Sequence, residues 1–441
     1  MARAGRRTLA SRTMHLLIVT DAFPPDAGAD AARLGAHSHY WTEAGAKVSV
    51  VVSPPDVPCA GESAAGPRRR TRASRRGKVR MARLQRSARS PRSWWARWEN
   101  GFGPTLRLLL AGLRVGAVDV VLCATSDVRV RWAALLLSRM RRRPLVLEVL
   151  HDPLHGEPDT QPPAAPVGGA ARELWFCKAA DMAIAASRSL RDALVELGVQ
   201  PTKVEVVADG LDWDRCSALR QVGRAAPGRK ADEPFVVGWS DVGAGTRADK
   251  LAAAVVDKVD GAGGQSPFRM VALAPGAGDG PAAGVESESS DCGGGCAAAD
   301  PVGGAEQPAL QPETVAALDA CVVVAGDEAL PRVPPLVYDC VGAAVPVVVG
   351  FQGETADLVT REGVGMVCHS GDTDVLAQQL LRLQQDTLLR ARLSAACREA
   401  APRLDRASRA KHMLEVLRRV AAAHKMHRKW RYNRRLSGYR R

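Results

Sequence analysis

The chain has 441 residues, 46% of them hydrophobic, and a formal net charge of +14. That length and apolar content suit two ordinary globular domains. Ten cysteines without paired spacing argue against a secreted disulfide scaffold, and no stretch has the length and purity of a membrane helix, the apolar run from Leu106 to Ala124 being broken by Arg107, Arg114 and Asp119.

The first thirteen residues, MARAGRRTLASRT, are basic without an apolar centre. They read as a disordered arm, or as lying ahead of a start at Met14, and not as a signal peptide. HLLIVT, His15 to Thr20, is a first buried strand, followed by the loop DAFPPDAGADAAR, a helix through HSHYWTEAGA, and a second strand KVSVVVS, Lys47 to Ser53. Strand, loop, helix, strand with short connections is a βαβ unit and predicts a parallel sheet. Residues 63–98 then hold twelve Arg, one Lys and no acid, and end in Trp94, Trp95 and Trp98. A short strand over Val79 to Leu84 is compatible with this stretch. Arg and Trp together suit an anionic membrane surface, indoles at headgroup depth and guanidiniums on phosphates. Nucleic acid is the weaker expectation, and a solvated loop is the remaining one.

The α/β rhythm resumes with a helix over Pro104 to Leu113, a strand over Asp119 to Ala124, a helix over Arg129 to Met140 and a strand PLVLEVL, Pro144 to Leu150. His151 and Asp152 stand at the carboxyl end of that strand, where such a pair can bind sugar hydroxyls or steady an acceptor. After a Pro/Ala/Gly-rich loop come a helix over Ala170 to Ala179, a strand DMAIAA, a helix over Arg188 to Leu197 with Gly198 past its end, and a strand KVEVVA. Asp209-Gly210 and Asp212 follow. Ser217 to Glu233 reads as a polar linker.

A second βα series opens with FVVGWS at Phe235 and continues through DVGAGTRADKLAAAVV to the strand FRMVALA. Pro275 to Pro308 is dominated by Gly, Ala and Ser and predicts a long loop with little core. Its Cys292 and Cys296 lack a second ligand pair, so no metal site is expected. A helix over Glu313 to Leu318, a strand over Ala320 to Val324, the helix PLVYDCVGAA, the strand of valines after Pro346 and the helix ETADLVTREG follow. Three further helical runs complete the chain before the tail HKMHRKWRYNRRLSGYRR, which holds eight Lys/Arg and no acid. The two basic patches together exceed the net charge, so the rest of the chain is net acidic.

Several of these segments resemble family 4 retaining glycosyltransferases of the GT-B fold. The loop after the first strand matches the family's opening at Phe23, Pro24, Pro25, Gly28 and Arg33, with Ala29 for its second glycine. Asp209-Gly210 and Asp212 resemble the Asn-Gly-Val-Asp that ends the first domain. PLVYDCVGAAVPVVV resembles the donor segment, with Asp339 at a Glu position, Ala344 at a Gly position and Pro346 retained. HDPLHGEP fits the family's strand-end segment loosely. Pro331 falls where a first glutamate usually stands. In similar chains the last helix often crosses back to the first domain.

The resemblance implies an α/β fold of two doubly wound Rossmann-like domains facing a cleft. The expected division is a basic arm 1–13, an acceptor-side domain 14–215 with a basic loop 63–98, a linker 216–233, a donor-binding domain 234–423 with the loop 275–308, and a basic tail 424–441. It implies retaining, metal-independent transfer of a sugar from a nucleotide-diphosphate sugar, without a cofactor, to a glycan or lipid-linked acceptor. Arg247 and Lys250 would hold the diphosphate and, with His151 and Asp152, form the catalytic set. Gly28, Asp339 and Glu354 would bind the donor, and Arg33 and Asp209 would lie on the acceptor side. The expected location is cytoplasmic, peripheral on the inner face of the membrane. A catalytically degenerate GT-B-like scaffold or partner protein is the alternative; a nucleotide-sugar epimerase of the same fold is less favoured because the chain order around Gly28 resembles a transferase. A dinucleotide oxidoreductase is disfavoured because no full G-x-G-x-x-G follows a first strand.

Overall fold

The computed structural model describes residues 13–26, 29–53, 71–76, 79–84, 102–150, 168–225, 234–241, 255, 268–273, 312–325, 332–368 and 372–438. Runs of Val, Leu and Ile too uniform for a half-exposed strand build the first sheet. Its strands are β1 (His15–Thr20), β2 (Lys47–Val52), β3 (Thr71–Arg76), β4 (Val79–Leu84), β5 (Val120–Ala124), β6 (Leu145–Val149), β7 (Met182–Ala185) and β8 (Val204–Val206). They lie in the order β3-β4-β2-β1-β5-β6-β7-β8. Pairing is parallel except between β3 and β4. The second sheet has β9 (Phe235–Asp241), β10 (Phe268–Ala272), β11 (Ala320–Val324), β12 (Val347–Val349) and β13 (Gly365–Val367) in the order β10-β9-β11-β12-β13, all parallel. Each sheet carries a core on both faces. This is the expected pair of doubly wound α/β domains.

Three boundaries differ from the sequence reading. In the basic stretch the short strand over Val79 to Leu84 forms as β4, and the unexpected β3 pairs with it as an antiparallel edge; an arginine-rich strand is suited to an edge because it discourages further pairing. The expected linker begins as a helix, α6 (Trp213–Ala225). Cys216 and Leu219 are buried in the second domain's core beside Val337 and Val341; with so few apolar residues at helical spacing among polar ones, the segment reads as linker in sequence. The last helix, α12 (Arg406–Gly438), takes in residues assigned to the second domain and to the tail. Ala410, Met413, Leu414 and Leu417 pack in the core of the first domain with Leu34 and Trp41, and Trp41 Nε1 donates to Ala410 O at 2.7 Å.

The chain crosses between domains at two adjacent segments. Leu211 N donates to Leu404 O at 2.7 Å, and Arg406 N donates to Leu211 O at 2.9 Å. Gly210 sits where a Cβ would come within 2.6 Å of Leu404 O and 3.0 Å of Arg406 N and Cα. Those neighbours are backbone and cannot swing aside. Gly210→Ala is therefore expected to cost about 1–3 kcal/mol by overpacking, read as a melting temperature lowered by several degrees; an unchanged melt would show that the crossover yields. No helix among the described residues is long and apolar enough to cross a membrane.

Candidate active site

In open α/β sheets ligands bind beyond the carboxyl ends of the strands, at the point where strand order reverses. Both sheets present those ends to one cleft. A cavity between the domains is bordered by Arg33 and Asp209 from the first, by Arg332, Tyr338 and Glu354 from the second, and by Arg409 of the crossover helix. Arg33, Asp209 and Glu354, drawn from positions far apart in the sequence, thus meet at one place.

Arg33 lies on α1 (Ala29–Glu43) and is 2% exposed. Its Nη2 is 2.7 Å from Glu148 Oε1 at the end of β6. Its Nε and Nη1 have no hydrogen-bond partner among the described residues. Burial works against the Arg33 cation, but Glu148, Asp209 and Asp30 outweigh it and raise its pKa, so it stays charged. Burial pushes the Glu148 carboxyl up and Arg33 opposes that. Beside them His37 is buried; burial first, then Arg33, bring it down to about 3, so its imidazole is neutral at physiological pH.

Asp209 follows β8. Burial alone would raise its carboxyl, but Arg406 and Arg33 hold it below the usual range. It accepts from Gly210 N at 2.7 Å and Arg406 Nε at 3.1 Å. An acid placed between an arginine of α1 and one of the crossover helix ties the cleft floor to the hinge.

Glu354 opens α9 (Glu354–Glu362), where the positive end of the helix dipole favours an anion. Its Oε2 accepts from Arg188 N at 3.2 Å, at the start of α5 (Arg188–Glu196) in the first domain. A second bond across the cleft joins Arg332 Nη1 to Asp30 Oδ1 at 2.6 Å. Asp339 lies on α8 (Pro335–Ala343), where its Oδ1 accepts from Arg215 Nε of α6 at 2.8 Å. Burial raises its pKa and Arg215 opposes the shift. It does not border the cavity that holds Arg33, Asp209 and Glu354. Gly28, His151, Asp152, Arg247 and Lys250 lie outside the described residues.

Beside this cavity a second one lies over the switch point between β1 and β5, bordered by Asp21, Asp30, Thr125, Arg131 and Glu148. The sequence reading did not single out Asp21, though it directly follows β1. Burial raises its carboxyl, Asp127 and Asp30 add to that, and a hydrogen bond with Thr125 opposes it. A carboxyl so placed can accept a bond from a hydroxyl of a polyol ligand. Glu148 also had a signal: it is the single charged residue in PLVLEVL, and a charge in a buried strand requires a buried partner.

At the end of α8, Ala344 holds φ 65° and ψ 31°. This is the left-handed cap that glycine fills without strain, at the position where the family resemblance places Gly. Ala344→Gly is expected to raise stability by about 1 kcal/mol by relieving that conformation. Thermal denaturation checks it, and a lower melting temperature would contradict it.

Two parallel-sheet domains, with candidate residues gathered where their carboxyl ends face each other, define a GT-B protein. Residues 33–215 match the sequence model described as Glycosyltransferase Family 4, in line with the resemblance drawn from the sequence. No curated protein matches the sequence significantly. Among solved structures, sucrose-phosphate synthase from Thermosynechococcus elongatus aligns with a TM-score of 0.61 at 15% identity, over 93% of this chain and 100% of that one. The UDP-forming α,α-trehalose-phosphate synthase from Burkholderia vietnamiensis gives 0.60 at 13%, over 92% and 99%. HepE of Anabaena in complex with UDP gives 0.57 at 14%, over 92% and 99%. Likeness at such identities establishes the shared fold.

Proposed function

We propose that this protein transfers a sugar from a nucleotide-diphosphate sugar to a glycan or lipid-linked acceptor, with retention of anomeric configuration and without a metal or other cofactor, on the cytoplasmic face of a membrane. The observation that carries the proposal is the convergence of Arg33, Asp209 and Glu354 on one interdomain cavity, in a chain whose first domain matches a glycosyltransferase family. HepE, of the same fold, was solved with UDP and with UDP-glucose, which supports a nucleotide sugar as donor here.

The chemistry asked of such a site is stabilisation of a leaving diphosphate while the glycosidic bond breaks, which preorganised cations supply. Arg247 and Lys250 take that part. Gly28 lets backbone N–H groups approach the donor, and Glu354 positions the donor's sugar end. Asp339 accepts ribose hydroxyls with lone pairs beyond those that Arg215 uses; a carboxylate offers about four such sites. His151 and Asp152 act on the acceptor, and Arg33 and Asp209 belong to the acceptor side.

The second reading, a GT-B scaffold without catalysis, draws on Asp339, one methylene shorter than Glu and tied to Arg215, and on Pro331 in place of a first glutamate. Thermal-shift and calorimetric titration against nucleoside diphosphates and their sugars separate the two. Binding to the folded state must raise the melting temperature. A folded protein that binds no nucleotide would end the transferase reading in favour of the scaffold.

A further inference from the structure

On the face of the first sheet opposite α12, three helices carry large apolar side chains into solvent. α2 (Phe102–Arg114) exposes Leu106 and Leu110, one turn apart. α3 (Val128–Arg141) exposes Trp132, Leu136 and Met140 at successive turns, and α4 (Gly168–Ala179) exposes Trp175. These six residues are 40–58% exposed. Side chains four apart share one helix face.

The stripes are contiguous. Thr105 Oγ1 donates to Arg129 O at 3.2 Å, and Arg141 Nη2 donates to Gly112 O at 2.8 Å. α2 and α3 therefore run parallel, and Leu106 and Leu110 lie alongside the turns of Trp132 and Leu136. The rings of Trp132 and Trp175 are 5.2 Å apart. Folding in the first domain uses the other faces of these helices, where Leu108, Ala133, Ala134, Leu137 and Phe176 are buried in the core. An exposed, continuous apolar patch of this kind marks an interaction surface.

Charge selects the occupant. The three helices hold eight Arg or Lys and one acid, Glu173. That acid is spent on the buried Arg131, at 2.8 Å, and Asp127, at the N-cap of α3, is paired with Arg129. The patch also continues into the basic end of α12: His424 Nε2 and Arg428 Nη1 donate to Arg142 O, just past α3, at 3.2 and 3.3 Å. From Arg418 to Gly438 that helix has eight Arg or Lys and no acid, and it exposes Met426 and Trp430.

We propose that α2, α3 and α4, flanked by the basic end of α12, form a docking face for an anionic lipid bilayer. Leu106, Leu110, Leu136 and Met140 enter the acyl boundary, the indoles of Trp132 and Trp175 lie at headgroup depth, and the arginines meet lipid phosphates. The surface lies apart from the interdomain cavity, and its occupancy does not depend on sugar transfer; a chain that transferred nothing would dock in the same way.

Flotation of the full chain with vesicles, without nucleotide, tests it. Wild type should float with vesicles containing about one-third phosphatidylglycerol, much less with pure phosphatidylcholine, and less as salt rises. Leu110→Gln with Met140→Gln, two exposed positions, should lower partitioning at least about tenfold while circular dichroism and melting temperature hold. Arg428→Glu with Lys429→Glu should abolish the preference for the anionic vesicles and leave the weak neutral binding. The proposal is overturned if wild type floats with neither vesicle, if the glutamine pair floats like wild type, or if light scattering shows a dimer that the glutamine pair dissociates, which would make the face a contact between copies.

Discussion

Arg33→Met is expected to lower the melting temperature of the first domain by on the order of 10 °C. The substitution keeps the volume and the apolar stem and removes one charge. It leaves Glu148, 1% exposed, without the guanidinium now 2.7 Å away. Breaking a buried pair by deleting one partner costs about 3–5 kcal/mol, because the other charge is stranded. For a domain of this size each kcal/mol moves the melt by about 2–4 °C. The stranded carboxyl can escape only by taking a proton, toward which burial already pushes it. Arg33→Met with Glu148→Leu should then recover most of the loss, since replacing both members of a buried pair by apolar groups is often neutral. Calorimetric scans of the wild type, the single and the double variant decide the matter. A single variant that melts with the wild type would mean that Glu148 is neutral without its partner at no cost. A double variant as unstable as the single would put the cause elsewhere than the stranded carboxylate. Because Arg33 also borders the cavity with N–H groups that have no partner among the described residues, a double variant that folds and binds nucleotide sugar but transfers poorly would separate its work in the cleft from its work in the core.

The architecture was legible because buried parallel strands announce themselves. HLLIVT, KVSVVV, VVLCA, LVLEV and ACVVV are dominated by Val, Leu and Ile, and each forms a strand within a residue or so of its expected limits. What escaped was structure whose stabilisation comes from a distant surface. α6 buries few apolar side chains, and they become meaningful only against Gly342 and its neighbours on α8. α12, by contrast, meets the expectation that the last helix crosses back to the first domain, and its apolar stripe covers the first sheet. The site divides in the same way. Arg33, Asp209 and Glu354 could be named from strand ends, helix starts and resemblance, and they meet in space. The partners that set their charge states, Glu148 and Arg406, are 115 and 197 positions away from Arg33 and Asp209, and nothing local couples them. The resemblance places Asp339 toward a ribose, and its ion-pair partner Arg215 lies on α6, which the sequence reading had as linker from residue 216 on.

Replacing Arg247 and Lys250 together by Ala should lower the affinity for a nucleoside diphosphate by about two orders of magnitude or more. In the proposed role each cation would supply a charge-assisted contact to the diphosphate worth roughly 1.5–3 kcal/mol, and every 1.4 kcal/mol is about a factor of ten in the dissociation constant. Loss of two such contacts should leave the fold intact by circular dichroism. Glu354→Gln addresses the other end of the donor. The carboxylate is assigned to the sugar, so the variant should weaken a nucleotide sugar more than the bare nucleoside diphosphate, a difference that calorimetric titration of both ligands reads directly. The same substitution retains an oxygen to accept from Arg188 N, so the link across the cleft is kept and the comparison isolates the charge. Equal weakening of both ligands would remove Glu354 from the sugar subsite. Wild-type affinity in the double alanine variant would remove Arg247 and Lys250 from the diphosphate. Should the wild type bind the nucleotide sugar and yet transfer and hydrolyse nothing, Asp339→Glu is the next substitution to make: it restores the missing methylene, and recovery of turnover would trace the defect to the shortened side chain that Arg215 now holds.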